Sequence, residues 1–458
     1  MANVVARFEG LFLVSSAPLA ELEARLGTAS GFWWTVRPFG AEPRCWIATT
    51  EDGRALPCDE AWTLVERLRD EHNANEPRTI DHVEPLFETE WQAWGSLDTP
   101  DATAARGLES AFASGDFGPG SSSIDWLLES ARVAGLHQTV RGRGVRIAHP
   151  DTGYTRHSEV SPRVDETLAR GFLADATALD PGAGFTPFHG TGTASVLISP
   201  SGQKPDGAHE VLGVAPDASL VPLRVTDNVV LLSQRALAES IDYARACGCD
   251  VVSMSLGGVP SAALHAAIER AVREGMILCA AAGNYSPIPG WPARDPLVIA
   301  VGAVDVEDRP WKHSSRGACV AISAPGYGVW RAGWDAQGNE LVLRSKGTSF
   351  AVATVAGIAA LWLEKHGGRA ALVDKLGASN VSVVFERLLR RTARPFAPGS
   401  NTAGMGAGIV DATALLAADL ASAHSIHAPM GLESIAASPE PAAGTRAAFD
   451  RALAELDR

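Results

Sequence analysis

Two rhythms of hydrophobic positions divide the chain. Over the first ninety or so residues, alternating and helical patterns succeed one another: strands are predicted at 4–14, 32–39, 44–50 and 80–88, with amphipathic helices at 18–26 and 57–72. This β-α-β-β-α-β order predicts a small ferredoxin-like α+β domain over residues 1–90. From Trp91 the pattern dissolves into DTPDATAARG and SGDFGPGSSS, rich in residues that favour turns, so 91–134 reads as a linker and approach to a second domain. After it, short continuous apolar runs alternate with helical stretches. The runs are VRIAH (145–149), SLVPLRV (219–225), DVVSMSL (250–256), MILCAAA (276–282) and PLVIAVGAV (296–304), and helices are predicted at 190–198, 233–247 and 261–274. Strands that are apolar on both faces and separated by helices imply a doubly wound, mostly parallel α/β sheet covered on both sides. Residues 135–423 are assigned to it, and 424–458 to a proline- and alanine-rich tail with a short helix.

Ligands of such sheets bind beyond the carboxyl ends of the strands. Four polar residues fall there: Asp151 after VRIAHP, His189 just ahead of GTGTASVLI, Asn284 after MILCAAAG, and Ser349 in KGTS at the mouth of an alanine-rich helix. Taken singly, each has a plain structural explanation: an Asx-turn for Asp151, a carbonyl partner for His189, a Gly-Asn turn for Asn284 and an N-cap for Ser349. Taken together, they form a chemical set. A serine hydroxyl needs a base, imidazole serves near neutral pH, a carboxylate fixes the imidazole, and an amide with a helix-start N–H can hold a developing oxyanion.

Charge and composition narrow the classes. The net charge of -14 argues against broad attraction to nucleic acid or anionic membrane. The six cysteines include only one close pair, Cys247 and Cys249, which predicts free thiols and no zinc site. The first residues, with Arg7 and Glu9 inside the apolar stretch, do not follow the secretory pattern, and no stretch of about eighteen uninterrupted apolar residues follows. The expectation is a cytoplasmic monomer without cofactor or metal.

HPDTG around Asp151, HGTGTA around His189, SMSLGG at 253–258, AAAGN at 280–284 and KGTSFAVATVAG at 346–357, in this order, resemble the signature segments of the subtilisin-like serine proteases. GVAPDASLVPLRV, PLVIAVGAVD, SAPG and GMGAGIVDATAL resemble framework segments, so the likeness spans roughly 135–423. The resemblance implies a serine endopeptidase acting on protein or peptide substrates. Asp151, His189 and Ser349 are then the catalytic triad and Asn284 the oxyanion donor. It also implies that Ser255, Leu256 and Gly257 pair with extended substrate, opposite Ala281, Ala282 and Gly283 in the first specificity pocket. The domain ending in IDHVEPLFE resembles the family's inhibitory pro-domain, with 115–123 as a candidate processing stretch.

This chain departs from the family pattern at two places. His149 and Pro150 precede the aspartate where an apolar strand end is usual, and a proline removes a ladder donor. Ala353 and Thr354 stand where the family has proline and histidine. Asp227 and Asn228 are candidate calcium ligands, a common family cofactor, but no close series of oxygen-bearing residues surrounds them. Tyr285–Pro296 contains four prolines and is predicted to be a rigid loop whose Trp291 either meets substrate or packs beneath the loop. A catalytically silent peptide binder is the alternative reading. An esterase is disfavoured because Ser349 lacks the G-x-S-x-G context.

Overall fold

The computed structural model describes residues 3–30, 33–39, 44–51, 56, 58–73, 80–92, 123–182, 186–200, 211–231, 234–286, 288–335 and 337–423. Residues 93–122, including most of the candidate processing stretch, and the 424–458 tail lie outside them. Among the described residues no helix is long and apolar enough to cross a membrane.

The N-terminal unit contains strands β1 (Asn3–Ser15), β2 (Trp34–Pro38), β3 (Cys45–Thr50) and β4 (Ile80–Gln92), with helices α1 (Leu19–Ser30) and α2 (Cys58–Asn73). Its sheet order is β2-β3-β1-β4, and every neighbouring pair is antiparallel. This is the ferredoxin-like arrangement read from the sequence. β4 is longer than expected: it stays paired with β1 until Gln92 faces Asn3. Leu11, Leu13, Leu22, Leu26, Val65 and Val83 form its own core.

The larger unit begins with a short helix α3 (Trp126–Ser130) and is built on seven strands. These are β5 (Arg146–Asp151), β6 (Arg170–Gly171), β7 (Ser219–Arg224), β9 (Val251–Met254), β11 (Ile277–Ala281), β12 (Ile299–Val304) and β13 (Val320–Pro325). Their order is β13-β12-β11-β9-β5-β7-β6, all parallel. Strand order reverses between β5 and β9, which makes that junction the crevice of a doubly wound sheet. Smaller pairs are β8 (Val230–Leu231) with β10 (Gly257–Gly258), and the hairpin β14 (Tyr327–Trp334) with β15 (Glu340–Lys346).

Both sheet faces are buried, and consecutive strand residues go to opposite cores as the two-residue period requires. Ile147, Val251, Ile277 and Cys279 join the core under α4 (His189–Ile198) and α7 (Thr348–Lys365). Ala148, Val252, Leu278 and Ala280 join the core under α5 (Arg235–Ala246) and α6 (Ala262–Arg273). α7 is buried from Thr348 through Leu363, consistent with a sequence apolar on all sides. Ala353 sits within it without strain, and Thr354 returns its hydroxyl to the Phe350 carbonyl at 2.9 Å. The family's departures at these two positions therefore leave the helix intact. Helices α8 (Arg369–Leu376), α9 (Asn380–Arg391) and α10 (Ala412–Ala417) complete the unit.

Pro150 is also absorbed. Val225 N–H donates to the Asp151 carbonyl at 3.0 Å, so Asp151 turns its backbone toward β7 and Pro150 turns toward β9. Pairing of β5 with β9 ends at Ala148, so the missing N–H falls where the ladder has already stopped.

The N-terminal sheet lies on α5 and α6. Phe12, Phe39, Ile47 and Leu86 belong to the same apolar cluster as Ile241, Leu264 and Ile268. Arg37 pairs with Glu239 at 2.6 Å, and the Arg270 guanidinium lies over Phe39. Glu84, buried at the seam, accepts hydrogen bonds from the Ala262 and Ala263 N–H groups (3.0 and 3.1 Å) and the Ser261 hydroxyl (2.9 Å). A carboxylate from one unit thus satisfies orphan donors at the helix start of the other, where the dipole favours negative charge. Glu84→Ala is expected to destabilise the chain by about 1–3 kcal/mol, since charged hydrogen bonds are lost in a desolvated seam. Urea denaturation followed by tryptophan fluorescence measures this, and an unchanged midpoint would contradict it.

Candidate active site

Asp151, the last residue of β5, is completely buried. Its Oδ1 accepts from His189 Nδ1 at 2.7 Å and from Thr152 N–H at 2.7 Å. Burial alone pushes the Asp151 carboxyl up, but the charge and hydrogen bond of His189, the neighbouring His149 and the Thr152 N–H together carry it below the usual carboxylate range. An ionised carboxylate only accepts, so His189 Nδ1 carries the proton and its Nε2 lone pair is left to face the crevice.

His189 is the first residue of α4, one position earlier than the sequence pattern suggests. Phe188 precedes it in the left-handed conformation at φ 57°, held by packing on Trp334 at 4.7 Å between ring centroids. Gly190 explains how closely helix and strand approach: a Cβ there would meet the Gly153 carbonyl oxygen at 2.0 Å. Its N–H donates to Thr152 Oγ1 at 3.0 Å, and Thr152 in turn donates to Asp180 Oδ2 at 2.5 Å. Asp180 also accepts from Gly182 N–H at 2.7 Å.

On the other side of the crevice, Thr348 N–H and its hydroxyl both donate to Asn284 Oδ1 at 2.9 Å. Thr348 Oγ1 itself accepts from Gly283 N–H at 3.1 Å. With Oδ1 doubly engaged, the amide orientation of Asn284 is fixed and Nδ2 is its remaining donor. Gly347, at φ 153°, brings the chain past that amide: a Cβ there would lie 3.4 Å from Asn284 Nδ2. Ser349 is in the first turn of α7, where backbone N–H groups have no helical acceptor. Its hydroxyl donates to the Ser255 carbonyl at 3.5 Å, and the Ser255 hydroxyl donates to the Ser349 carbonyl at 3.0 Å. The Ser349 hydroxyl is thus held against the end of β9.

The remaining predicted residues line the same end of the sheet. Ser255 and Leu256 are buried beyond the end of β9. Gly257 N–H donates to Val229 O at 2.9 Å, so this amide already has a partner within the chain. Gly258 and Trp291 exchange backbone hydrogen bonds at 2.7 and 3.1 Å, which places the proline-rich loop against β10. Ala281 and Ala282 are buried, and Gly283 hands its carbonyl to Ser315 N–H at 2.9 Å. Asp227 and Asn228 do not suit calcium: Asp227 is engaged at 2.7 Å with the Arg224 guanidinium, whose charge already occupies the place of a cation. Among the described residues no cluster of three or more His, Cys, Asp or Glu could hold a metal. Five cysteines are free thiols, and burial pushes Cys249 up to about 12.

Sequence reasoning missed Thr152, Thr193, Thr348 and Asp180. The three threonines sit one or four positions from catalytic candidates, and that spacing on a strand end or helix face was the available signal. Asp180 is brought in by a loop and had none.

Residues 142–408 match the model of the subtilase family, peptidase S8. Subtilisin DY of Bacillus licheniformis is 33% identical over 240 residues, covering 50% of this chain and 80% of that protein. Subtilisin E of Bacillus subtilis is 31% identical over 252 residues, covering 53% of this chain and 62% of that protein. Two solved structures share the fold at 24% identity. A protease of Pseudoalteromonas arctica has a TM-score of 0.54, covering 64% of this chain and 94% of its own. MycP1 of Mycobacterium smegmatis has a TM-score of 0.52, covering 70% and 90%. With the family model matched over more than half its length and the parallel sheet ordered as described, the chain belongs to the subtilase family of serine endopeptidases.

Proposed function

We propose that this chain cleaves peptide bonds through Asp151, His189 and Ser349, with Asn284 as oxyanion donor. The observation that carries the reading is the 2.7 Å contact between His189 Nδ1 and a fully buried Asp151, at the sheet end that also bears Ser349 and Asn284. Ser349 Oγ attacks the scissile carbonyl as its proton passes to His189 Nε2. The negative oxygen so formed accepts from Asn284 Nδ2–H and the Ser349 N–H. His189 then gives its proton to the leaving amine, and water repeats the sequence on the acyl-enzyme, returning the proton to Ser349. Asp151 remains ionised and holds the imidazolium. Ser255, Leu256 and Gly257 supply backbone for an extended substrate, with Ala281, Ala282 and Gly283 opposite. The N-terminal unit is a regulatory partner in the same chain, and its docking on α5 and α6 through Glu84 supports that role. Because β4 keeps its pairing to Gln92, the strand itself is committed to the small sheet up to that residue.

Incubation of the intact chain and S349A, read by mass spectrometry and fluorophosphonate labelling, tests the reading. Label and chain fragments are expected only with Ser349 present; equal behaviour of the two would leave a silent peptide binder. Asn284→Ala is expected to lower kcat by roughly a hundredfold to a thousandfold, because one preorganised oxyanion donor is removed.

Asp180 gives the site a pH dependence of stability. Burial, first, with Asp151 and Asp227 adding to it, raises its carboxyl to about 7 against the lowering hydrogen bonds of Thr152 and Gly182. Between the ordinary value of 3.8 and about 7, the unfolded chain releases this proton while the folded chain keeps it. Stability from this group therefore falls as pH rises across that window and levels off above it, by roughly 4 kcal/mol in all. Asp180→Asn, which mimics the protonated carboxyl, is expected to flatten the decline. Urea midpoints at pH 4, 6 and 8 check it, and parallel declines in both proteins would refute it.

A further inference from the structure

The strand and helix that carry Asp151 and His189 meet at a second rung. Residues two apart on β5 share a face, and residues four apart on α4 share a face. Asp151 meets His189; two residues before Asp151 lies His149, and four after His189 lies Thr193. His149 Nε2 is 3.0 Å from Thr193 Oγ1 and 3.7 Å from Asp151 Oδ2, and His149 and Thr193 are completely buried. Thr193 Oγ1 lies 3.4 Å from Asp151 Oδ2 and 3.2 Å from the carbonyls of His189 and Gly190. His149 Nδ1 is a buried nitrogen with no hydrogen-bond partner among the described residues.

We infer that His149 is a positioning residue for the proteolytic site, its Nε2–H holding Thr193 and the second carboxylate oxygen of Asp151 in place behind the His189 contact. The inference rests on the catalytic reading of Asp151, His189 and Ser349. Two tautomers of a neutral imidazole are available. In one, Nδ1–H is a buried donor without an acceptor, and the Nε2 lone pair faces a carboxylate. In the other, Nε2–H faces both Thr193 Oγ1 and the carboxylate, and only a lone pair is left bare. The second avoids the orphaned donor and the repulsion, so it is the resident form. Burial first, and then the proximity of His189, keep His149 from protonating against the pull of Asp151. Asp151 and His189 are the charges acting on His149, and Asp151 in turn acts on Asp180. Asp151 Oδ1 already has two close donors, whereas Oδ2 depends on this rung. Without it, a buried carboxylate can rotate about χ2 and carry the His189 ring with it.

The test separates position from bulk. Gln places a donor where Nε2 lies, and Asn places one where Nδ1 lies, so His149→Gln is expected to keep most activity and His149→Asn to lose it. A tenfold to hundredfold fall in kcat is expected for His149→Asn, roughly the worth of a hydrogen bond to a charged group. KM should stay unchanged, because neither residue touches substrate. Thr193→Val should behave like His149→Asn and Thr193→Ser like the parent chain. The double variant H149N/T193V should fall no further than either single one, since both break one rung. Nitrogen-15 NMR of histidine-labelled S349A chain should show His149 protonated at Nε2 and bare at Nδ1, a readout independent of activity and of any variant at His149. A Nδ1–H tautomer, or folded H149N with parental kcat, overturns the inference while leaving the triad standing. Failure of fluorophosphonate to label the unsubstituted chain overturns both.

Discussion

A negative charge completely enclosed by protein is the constraint around which this site is organised. Desolvating the Asp151 carboxylate is costly unless donors surround it. They come from its own turn (Thr152 N–H), from the first residue of α4 (His189) and from the face shared by His149 and Thr193. The contributions of His189 and Thr193 depend on α4 lying almost against the strand end, which in turn depends on glycine at 190. The Asp151–His189 contact is thus also a solution to a burial problem. The same demand reaches Asp180, which shares Thr152 as a partner and whose carboxyl is raised to about 7, first by its burial.

Much of the fold was legible because its strands are buried on both faces. Runs such as MILCAAA and DVVSMSL leave no polar alternation, and the helices between them carry clear amphipathic stripes. Catalytic candidates were legible for a related reason: strand ends and helix starts are where side chains leave the core, and Asp151, His189, Asn284 and Ser349 each mark such an exit. The β14–β15 hairpin and the C-terminal helices were not assigned, since YGVWRAGW mixes glycine, arginine and tryptophan without a clean period. The start of α4 lies one residue earlier than the pattern suggests because Phe188 adopts a left-handed conformation that no pattern of polarity announces. Pro150 looked disruptive until the ladder was seen to end two residues earlier on the side it faces.

The seam between the two units shows why a contact can be decisive without being large. IDHVEPLFE reads as an ordinary edge of a small sheet, and nothing local distinguishes Glu84 from Glu88. Its significance comes from the three donors waiting at Ser261, Ala262 and Ala263 on a helix nearly two hundred positions away. The helix end is a site of fixed polarity, so the N-terminal unit is oriented by charge as well as by the apolar contacts of Phe12 and Phe39.

The burial of α7 has a kinetic side. Ser349 belongs to a helix enclosed through Leu363, and its neighbour Thr348 locks Asn284 from the same turn. Local fraying at that end would have to expose core, so Ser349 and Asn284, the proposed nucleophile and oxyanion donor, are held where opening is costly. A protease that meets other proteases is attacked through its least stable segments. Here the serine proposed to do the cutting sits at the start of a buried helix, so the same packing that holds it in place also shields its backbone from attack.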